Sequence, residues 1–163
     1  VLVRSIFTGA TESVNDLNEG VKNKITELFV DEDKNIVVKL GSDKTAKIRA
    51  GTENFGIGIG AKTYDGSTVT DDLQYKLSLD DGARENCLSM LKTKRTEELF
   101  VQRIGSYDSF DEFQGDTAFE IVQLSIPEGT PLCTQKVFID VKDGEQVIGR
   151  GVFLIEIIRE GIF

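Results

Sequence analysis

Short runs of β-branched and aromatic residues, separated by turn-forming residues, recur along most of this chain. Turn sequences such as Asp143-Gly144 divide the runs at intervals of roughly 8–15 residues, which is typical of an all-β sandwich or barrel. The runs predicted to be strands are Thr45–Ala50, Asn54–Thr63, Leu73–Asp80, Leu99–Tyr107, Ala118–Ile126, Gln135–Val141 and Val147–Ile158. We therefore expect a mostly antiparallel β-sandwich of immunoglobulin-like or jelly-roll type.

Two segments have the apolar spacing of short helices. In the first, apolar residues recur every three or four positions after Ser13, which predicts a helix over Val14–Lys24. The second is Ala83–Lys92, where three apolar residues share one face. Between the helices, Ile25–Val30 and Ile36–Leu40 flank a polar loop and are predicted to form a hairpin.

The composition limits the chemistry that the chain can perform. The 163 residues show no repeat or linker, so a single domain over 1–163 is expected. Histidine is absent, which removes the commonest general base and all Ser–His, Cys–His and histidine–metal sites. An enzyme would have to use carboxylates, lysine or tyrosine. Because no catalytic motif is present, we expect a protein that is not an enzyme and has no cofactor apart from a possible calcium ion.

The net charge of -9 argues against nucleic acid and anionic membranes as partners, because their phosphates repel the chain at long range. No apolar stretch reaches the length of a membrane span. The two cysteines, Cys87 and Cys133, could pair, but two buried free thiols are expected. Few cysteines and no N-glycosylation sequon favour a cytoplasmic or virion setting over a secreted one.

The end of the chain resembles modules of known type. Gln135–Val141, the turn Asp143-Gly144 and Val147–Ile158 look like the last hairpin of many immunoglobulin-like and jelly-roll modules, including several bacteriophage decoration and tail domains. The likeness covers about the last quarter of the chain. A true immunoglobulin domain is not expected, because that family places a tryptophan between its two cysteines and this chain has no tryptophan.

Alternating glycines mark the predicted strand Asn54–Thr63. Gly56, Gly58 and Gly60 fall on one face of the strand and apolar residues on the other. A face without side chains suggests close approach by another element, which is either an internal layer or a neighbouring subunit. A nucleotide-binding loop is not expected, because the segment is predicted to be a strand and not the start of a helix.

An acidic segment between Arg103 and Lys136 contains no basic residue. Its candidate calcium ligands are Asp108, Asp111, Glu112 and Asp116, because calcium is bound by oxygens drawn from several loops. The alternative is that these carboxylates only keep the surface soluble. Carbohydrate binding by the acidic loops is a further possibility, although sugar stacking most often uses tryptophan or tyrosine and only three tyrosines are present.

The last predicted strand is apolar on both faces, with Phe153, Ile155 and Ile157 on one of them. Such a run is typical of a strand covered on both sides, either by a helix of the same chain or by another polypeptide. Together with the glycine face, it predicts a structural or interaction module that assembles with itself or with a larger complex. A virion decoration, capsid or tail component, or a surface assembly domain, would be an instance. The alternative function is a calcium- or carbohydrate-binding module.

Overall fold

The structure, a computed structural model, describes Lys22, Asn23 and Thr26 and the ranges 36–39, 45–63, 66–82 and 86–159. The described residues are mostly β, as the sequence predicts. Their strands are β1 (Ile36–Lys39), β2 (Thr45–Arg49), β3 (Phe55–Lys62), β4 (Leu73–Leu79), β5 (Asp108–Ser109), β6 (Glu112–Gln114), β7 (Thr117–Leu124), β8 (Cys133–Asp143) and β9 (Gln146–Ile158). Helix α1 (Cys87–Glu97) lies between β4 and β5.

The strands form two sheets. The first has the order β1-β3-β7-β6 and is antiparallel throughout. The second has the order β2-β9-β8-β4-β5 and is mixed, because β2 runs parallel to β9. One hydrophobic cluster contains residues of both sheets, among them Ile48 of β2, Ile57 of β3 and Ile155 of β9.

The hairpin β8–β9 is the longest element and shows how the sequence pattern sets the two faces of a sheet. Gly144 has a φ of 61° at its turn, a conformation that glycine adopts without steric cost. Along both strands buried residues alternate with more exposed ones. One side of the hairpin therefore contributes to the hydrophobic cluster, and we call the opposite side of this sheet its outer face.

The predicted strand Leu99–Tyr107 is wrong. This segment contains turns and two isolated bridges, Phe100 with Leu124 and Ile104 with Leu77. The first part follows β7, because Ser125 N donates to Leu99 O and Val101 N donates to Gln123 O, both at 2.9 Å. Leu99, Phe100 and Ile104 pack against the core without making a continuous ladder. The regular strands β5 and β6 follow instead.

Helix α1 extends beyond the predicted Ala83–Lys92. Its N-cap is Asn86, whose side-chain Oδ1 accepts a hydrogen bond from Ser89 N at 2.8 Å. The helix is kinked at Lys92, where φ is 72° and ψ is 166°, a conformation that favours glycine. Thr96 is buried beyond the kink, and its hydroxyl donates to the Lys92 carbonyl at 2.8 Å.

The described N-terminal residues are helical. Lys22 and Asn23 agree with the predicted helix Val14–Lys24, whose other residues lie outside the described ones. Thr26 is also helical, and its hydroxyl donates to Lys22 O at 2.8 Å, so the predicted strand Ile25–Val30 is wrong at this position. The other predicted hairpin strand is β1, but it pairs with β3.

The expectation of two free thiols is also wrong. Cys87 and Cys133 form a disulfide with a Cα–Cα distance of 5.0 Å. Asn86 forms an isolated β-bridge with Thr134, and the side chain of Gln135 accepts a hydrogen bond from Leu88 N at 3.0 Å, so the start of α1 also lies beside β8. The disulfide closes a loop between residues separated by 46 positions in the sequence.

Among the described residues, no helix combines the length and the apolar character that crossing a membrane requires.

Candidate functional site

Three of the four candidate calcium ligands surround one cavity. Asp108 lies in β5, Asp111 follows this strand and Glu112 begins β6. All three line a cavity of about 600 Å³ together with Glu120 of β7.

Asp116, the fourth candidate ligand, does not line this cavity. Its carbonyl oxygen accepts a hydrogen bond from Thr63 N at 3.0 Å and its carboxylate accepts one from the Thr117 hydroxyl, so it belongs to the turn between β6 and β7.

Glu120 is the residue of this site that the sequence reasoning did not single out. Strand β7 alternates, and Glu120 shares the core side with Ala118, Val122 and Leu124 while only 5% of its surface is exposed. Its Oε1 accepts a hydrogen bond from Asp111 N at 2.9 Å. An acidic residue at an apolar position of an alternating strand is the signal that could have identified it.

The pKa of Glu120 is raised from 4.5 to about 8, mainly by burial and in part by a hydrogen bond with the Asp111 side chain. At neutral pH this carboxyl group is therefore mostly protonated. A protonated carboxyl beside a second carboxylate can share its proton, so the pair presents both a hydrogen-bond donor and acceptors to the cavity.

Tyr75 of β4 forms part of the cavity wall and is 4% exposed. Its ring lies 5.0 Å from the Phe110 ring, measured between centroids. Burial raises its pKa, and the negative charges of Glu120, Asp108 and Asp111 raise it further. The hydroxyl is thus a neutral hydrogen-bonding group at physiological pH.

The remaining polar groups hold the wall of the cavity together. Gln102 donates through Nε2 to Ile121 O and accepts from Gln123 N at 3.0 Å, which ties the segment before β5 to β7. Arg103 donates to Asp108 Oδ1 at 3.0 Å. The positive charge of Arg103 thus partly neutralises one of the candidate ligands.

This arrangement does not form a ready metal centre. Within the described ranges, no group of three or more acidic or cysteine side chains is placed to hold a metal ion. Calcium usually takes six to eight oxygens, so it would need backbone oxygens or water in addition to these carboxylates. The cavity is better suited to groups that accept and donate hydrogen bonds.

The glycine face of β3 is buried, as is the apolar face. Gly60 lies beside Phe119 of β7, and Phe119 beside Glu112 of β6, so these residues share one side of the sheet. Lys22 contacts that side: its Nζ lies 2.8 Å from Glu112 Oε1 and 5.9 Å from the centre of the Phe119 ring. This contact favours an internal layer over a neighbouring subunit as the cover near Gly60.

The structure places the three candidate interface residues of β9 in the core. Phe153, Ile155 and Ile157 are at most 1% exposed and belong to the hydrophobic core, so no partner can contact them directly. The alternate residues Val152 and Leu154 lie on the outer face and are only partly buried. Periodicity showed that the strand has two apolar sides, but it did not show which side faces the core.

The outer face of the five-stranded sheet is basic, in contrast to the acidic chain. Its strand residues include six basic side chains and two acidic ones, Asp140 and Glu156. The basic residues, which we call the basic face, are Lys47, Arg49, Lys76, Lys136, Lys142 and Arg150. Sequence reasoning missed this surface because these residues come from four strands spread over more than a hundred positions.

Aromatic rings lie between these charges. The Nζ atoms of Lys76 and Lys142 lie 5.0 and 4.3 Å from the centre of the Tyr107 ring. Arg150 stacks at 4.5 Å over Phe138 and also forms a two-point ion pair with Asp140, at 2.6 and 3.2 Å. These contacts hold the long cationic side chains against the sheet.

The comparisons with known proteins do not identify a family: no protein-family model matches this sequence, and no curated protein matches it.

Proposed function

We propose that this chain is a non-enzymatic interaction module that assembles with itself or with a larger complex through the outer face of its five-stranded sheet. The observation that carries the proposal is the separation of charge. Six basic side chains share this face in a chain whose net charge is -9. Complementary charge steers association and selects partners, and the half-buried Phe138, Val152 and Leu154 supply apolar contact area.

We also propose that the two sheets pack as an immunoglobulin-like sandwich. Strand order supports this: β1-β3-β7-β6 corresponds to the order A-B-E-D, and β9-β8-β4 to G-F-C. The two remaining strands, β2 and β5, extend the second sheet at its edges. The disulfide departs from the family pattern, because it joins β8 to α1 and not to β3.

The disulfide bears on the compartment. Disulfides persist in oxidising environments such as cell surfaces, virion surfaces and secreted proteins. We therefore propose a cell-surface, virion or secreted setting and abandon the cytoplasmic alternative. A domain that stands on such a surface and offers a charged sheet face is suited to decorate or connect larger assemblies.

The experiment is a measurement of mass in solution by light scattering, over a range of protein concentrations at low and high salt. The test variant is R49E/K136E, which reverses two exposed charges of the basic face. The matched control is K94E/R95E, which makes the same charge change on exposed residues of α1. We expect assembly to be lost in the test variant and kept in the control, with similar melting temperatures. Equal loss in both variants would refute the proposal.

A second candidate function is the binding of calcium or a carbohydrate at the acidic cavity. The observation that favours it is that Asp108, Asp111, Glu112 and Glu120 surround one cavity. A melting curve with millimolar Ca²⁺, with Mg²⁺ as the control, tests the calcium form, because a ligand that binds only the native state raises its stability. Titration with soluble oligosaccharides, followed by calorimetry, tests the carbohydrate form.

A further inference from the structure

We propose, building on the proposed function, that the basic face binds an acidic polysaccharide and that Lys76 and Lys142 receive one of its sulfate or carboxylate groups. The larger complex is then one that displays such a polymer. Three features of the face support this ligand: cations without a carboxylate partner, their spacing along the strands, and the contacts of the aromatic rings between them.

Lys76 and Lys142 bring two positive charges to one aromatic ring. They lie on the neighbouring strands β4 and β8, and their Nζ atoms lie 5.0 and 4.3 Å from the centre of the Tyr107 ring. Asp140 lies opposite Lys76 in the sheet, but its carboxylate is bound at two points by Arg150. Two ammonium groups held this close repel each other, and an anionic group bound between them removes that repulsion.

Most cations of this face lack a carboxylate partner. The ion pairs among the described residues involve Lys22, Arg103 and Arg150, and of these three only Arg150 belongs to the basic face. Glu156 lies opposite Lys47 in the sheet without pairing with it. The cations that form no ion pair with a described residue are Lys47, Arg49, Lys76, Lys136 and Lys142.

The cations are spread along the strands and are not gathered at one point. Lys136 and Lys142 are separated along β8 by about 20 Å, at the usual rise per residue of a strand. Arg49 lies further towards the other end of the face, opposite Ile158 of β9. A small anion can meet only one or two of these charges, whereas an extended polymer with repeating anionic groups can bind several at once and gains affinity from each.

Nucleic acid is the alternative polymer. Proteins that bind single strands stack the bases on aromatic rings. On the basic face, the Tyr107 ring already contacts Lys76 and Lys142, and Phe138 is half-buried with Arg150 stacked over it. The disulfide indicates an oxidising environment, in which secreted and surface proteins meet acidic polysaccharides. Both observations favour a polysaccharide.

The net charge of -9 opposes the approach of any polyanion from a distance. At physiological salt, however, exposed charges are largely screened from one another beyond about 8 Å, so a bound polymer interacts mainly with the face that it touches. The strand residues of that face include six basic and two acidic side chains. The attraction should therefore be short-ranged and should weaken steeply as salt is raised.

The experiment is calorimetric titration with two probes, a heparin oligosaccharide for sulfate and a hyaluronan oligosaccharide for carboxylate, at a protein concentration at which light scattering shows single copies. The test variant K76Q/K142Q removes the two charges at Tyr107. The matched control K94Q/R95Q removes two charges from exposed residues of α1. We expect at least one probe to bind the unchanged protein at low salt. Its Kd should be about tenfold or more higher in K76Q/K142Q and unchanged in the control, with similar melting temperatures.

Lys136→Gln provides a test that does not depend on the folding of K76Q/K142Q, because it alters one exposed side chain. We expect it to raise the Kd and to reduce the slope of log Kd against log salt concentration by roughly one, because each lost contact spares the release of about one counterion. An unchanged Kd and slope in this variant would show that the polymer does not extend along the face.

Two further probes decide the class of polymer. Equal or tighter binding of single-stranded DNA, or of a poly-glutamate peptide of the same charge, would overturn the polysaccharide as the partner. Failure of both oligosaccharides to bind at low salt would overturn it as well, and so would an equal loss of binding in K76Q/K142Q and its control.

The mass of the protein alone tests the proposed function separately. If R49E/K136E loses assembly while neither oligosaccharide binds the unchanged protein, the inference is wrong and the proposed function stands. If R49E/K136E and K94E/R95E lose assembly equally while K76Q/K142Q alone loses the oligosaccharide, self-assembly through this face is refuted and the inference stands.

Discussion

Glu120→Gln should stabilise the protein at neutral pH. Glu120 is 5% exposed, and its pKa is raised from 4.5 to about 8 by burial and by Asp111. On unfolding at pH 7 the carboxyl group releases its proton, and this release favours the unfolded state. A glutamine has no proton to release, yet its amide can still accept from Asp111 N and donate to the Asp111 carboxylate.

The magnitude follows from the shift in pKa. A group whose folded pKa is raised contributes stability below its unfolded pKa, and this contribution is lost as pH rises towards the folded pKa. For Glu120 the window extends from about pH 4.5 to about pH 8. Each pH unit within it costs about 1.4 kcal/mol. At pH 7 the glutamine variant should therefore be more stable than the unchanged protein by up to about 3 kcal/mol.

The assay is urea denaturation of both proteins at several values between pH 5 and pH 8. The difference in unfolding free energy should grow as pH rises and then level off near pH 8. Glu128→Gln is the control, because it makes the same replacement at an exposed position of a turn and should change stability by less than about 0.5 kcal/mol. Parallel pH profiles for the unchanged protein and Glu120→Gln would show that the pKa of Glu120 is not raised in the folded protein.

Three further predictions concern the disulfide, the glycine face and the cavity. Replacing Cys87 and Cys133 by serine should lower the unfolding free energy by up to about 4 kcal/mol, because the disulfide closes a long loop in the unfolded chain. Denaturation curves of both proteins with and without reductant measure this loss, and reductant should lower the stability of the unchanged protein but not that of the variant. Gly58→Val should lower the unfolding free energy by about 1–3 kcal/mol, seen in a melting curve, without changing the mass in solution, because both faces of β3 are buried. A changed mass with unchanged stability would place a neighbouring chain against Gly58. Millimolar Ca²⁺ should leave the melting temperature unchanged, because Asp108 is paired with Arg103 and Glu120 is mostly protonated at neutral pH; a rise specific to Ca²⁺ would favour the second candidate function.

Sequence reasoning determined the existence and approximate bounds of most strands. Strands β3, β4, β7, β8 and β9 lie within two residues of the predicted runs at every end. The reason is local: alternation of side chains along an extended chain depends only on neighbouring residues, and turn residues mark where each run stops. The same pattern misled at Leu99–Tyr107, because apolar residues there pack on the core from turns and not from a ladder.

Contacts between residues that are distant in the sequence follow from the packing of the two sheets. The structure shows several of them. It pairs β2 with β9 in parallel and joins Cys87 to Cys133. It gathers six cations from four strands on one face. It also separates Asp116 from the three carboxylates near it in the sequence and places Glu120 beside Asp111. Alternation shows that β9 has two apolar sides, but the choice between them depends on where the other sheet lies. Contacts of this kind are set by the packing of whole sheets, and no local pattern of residues encodes them.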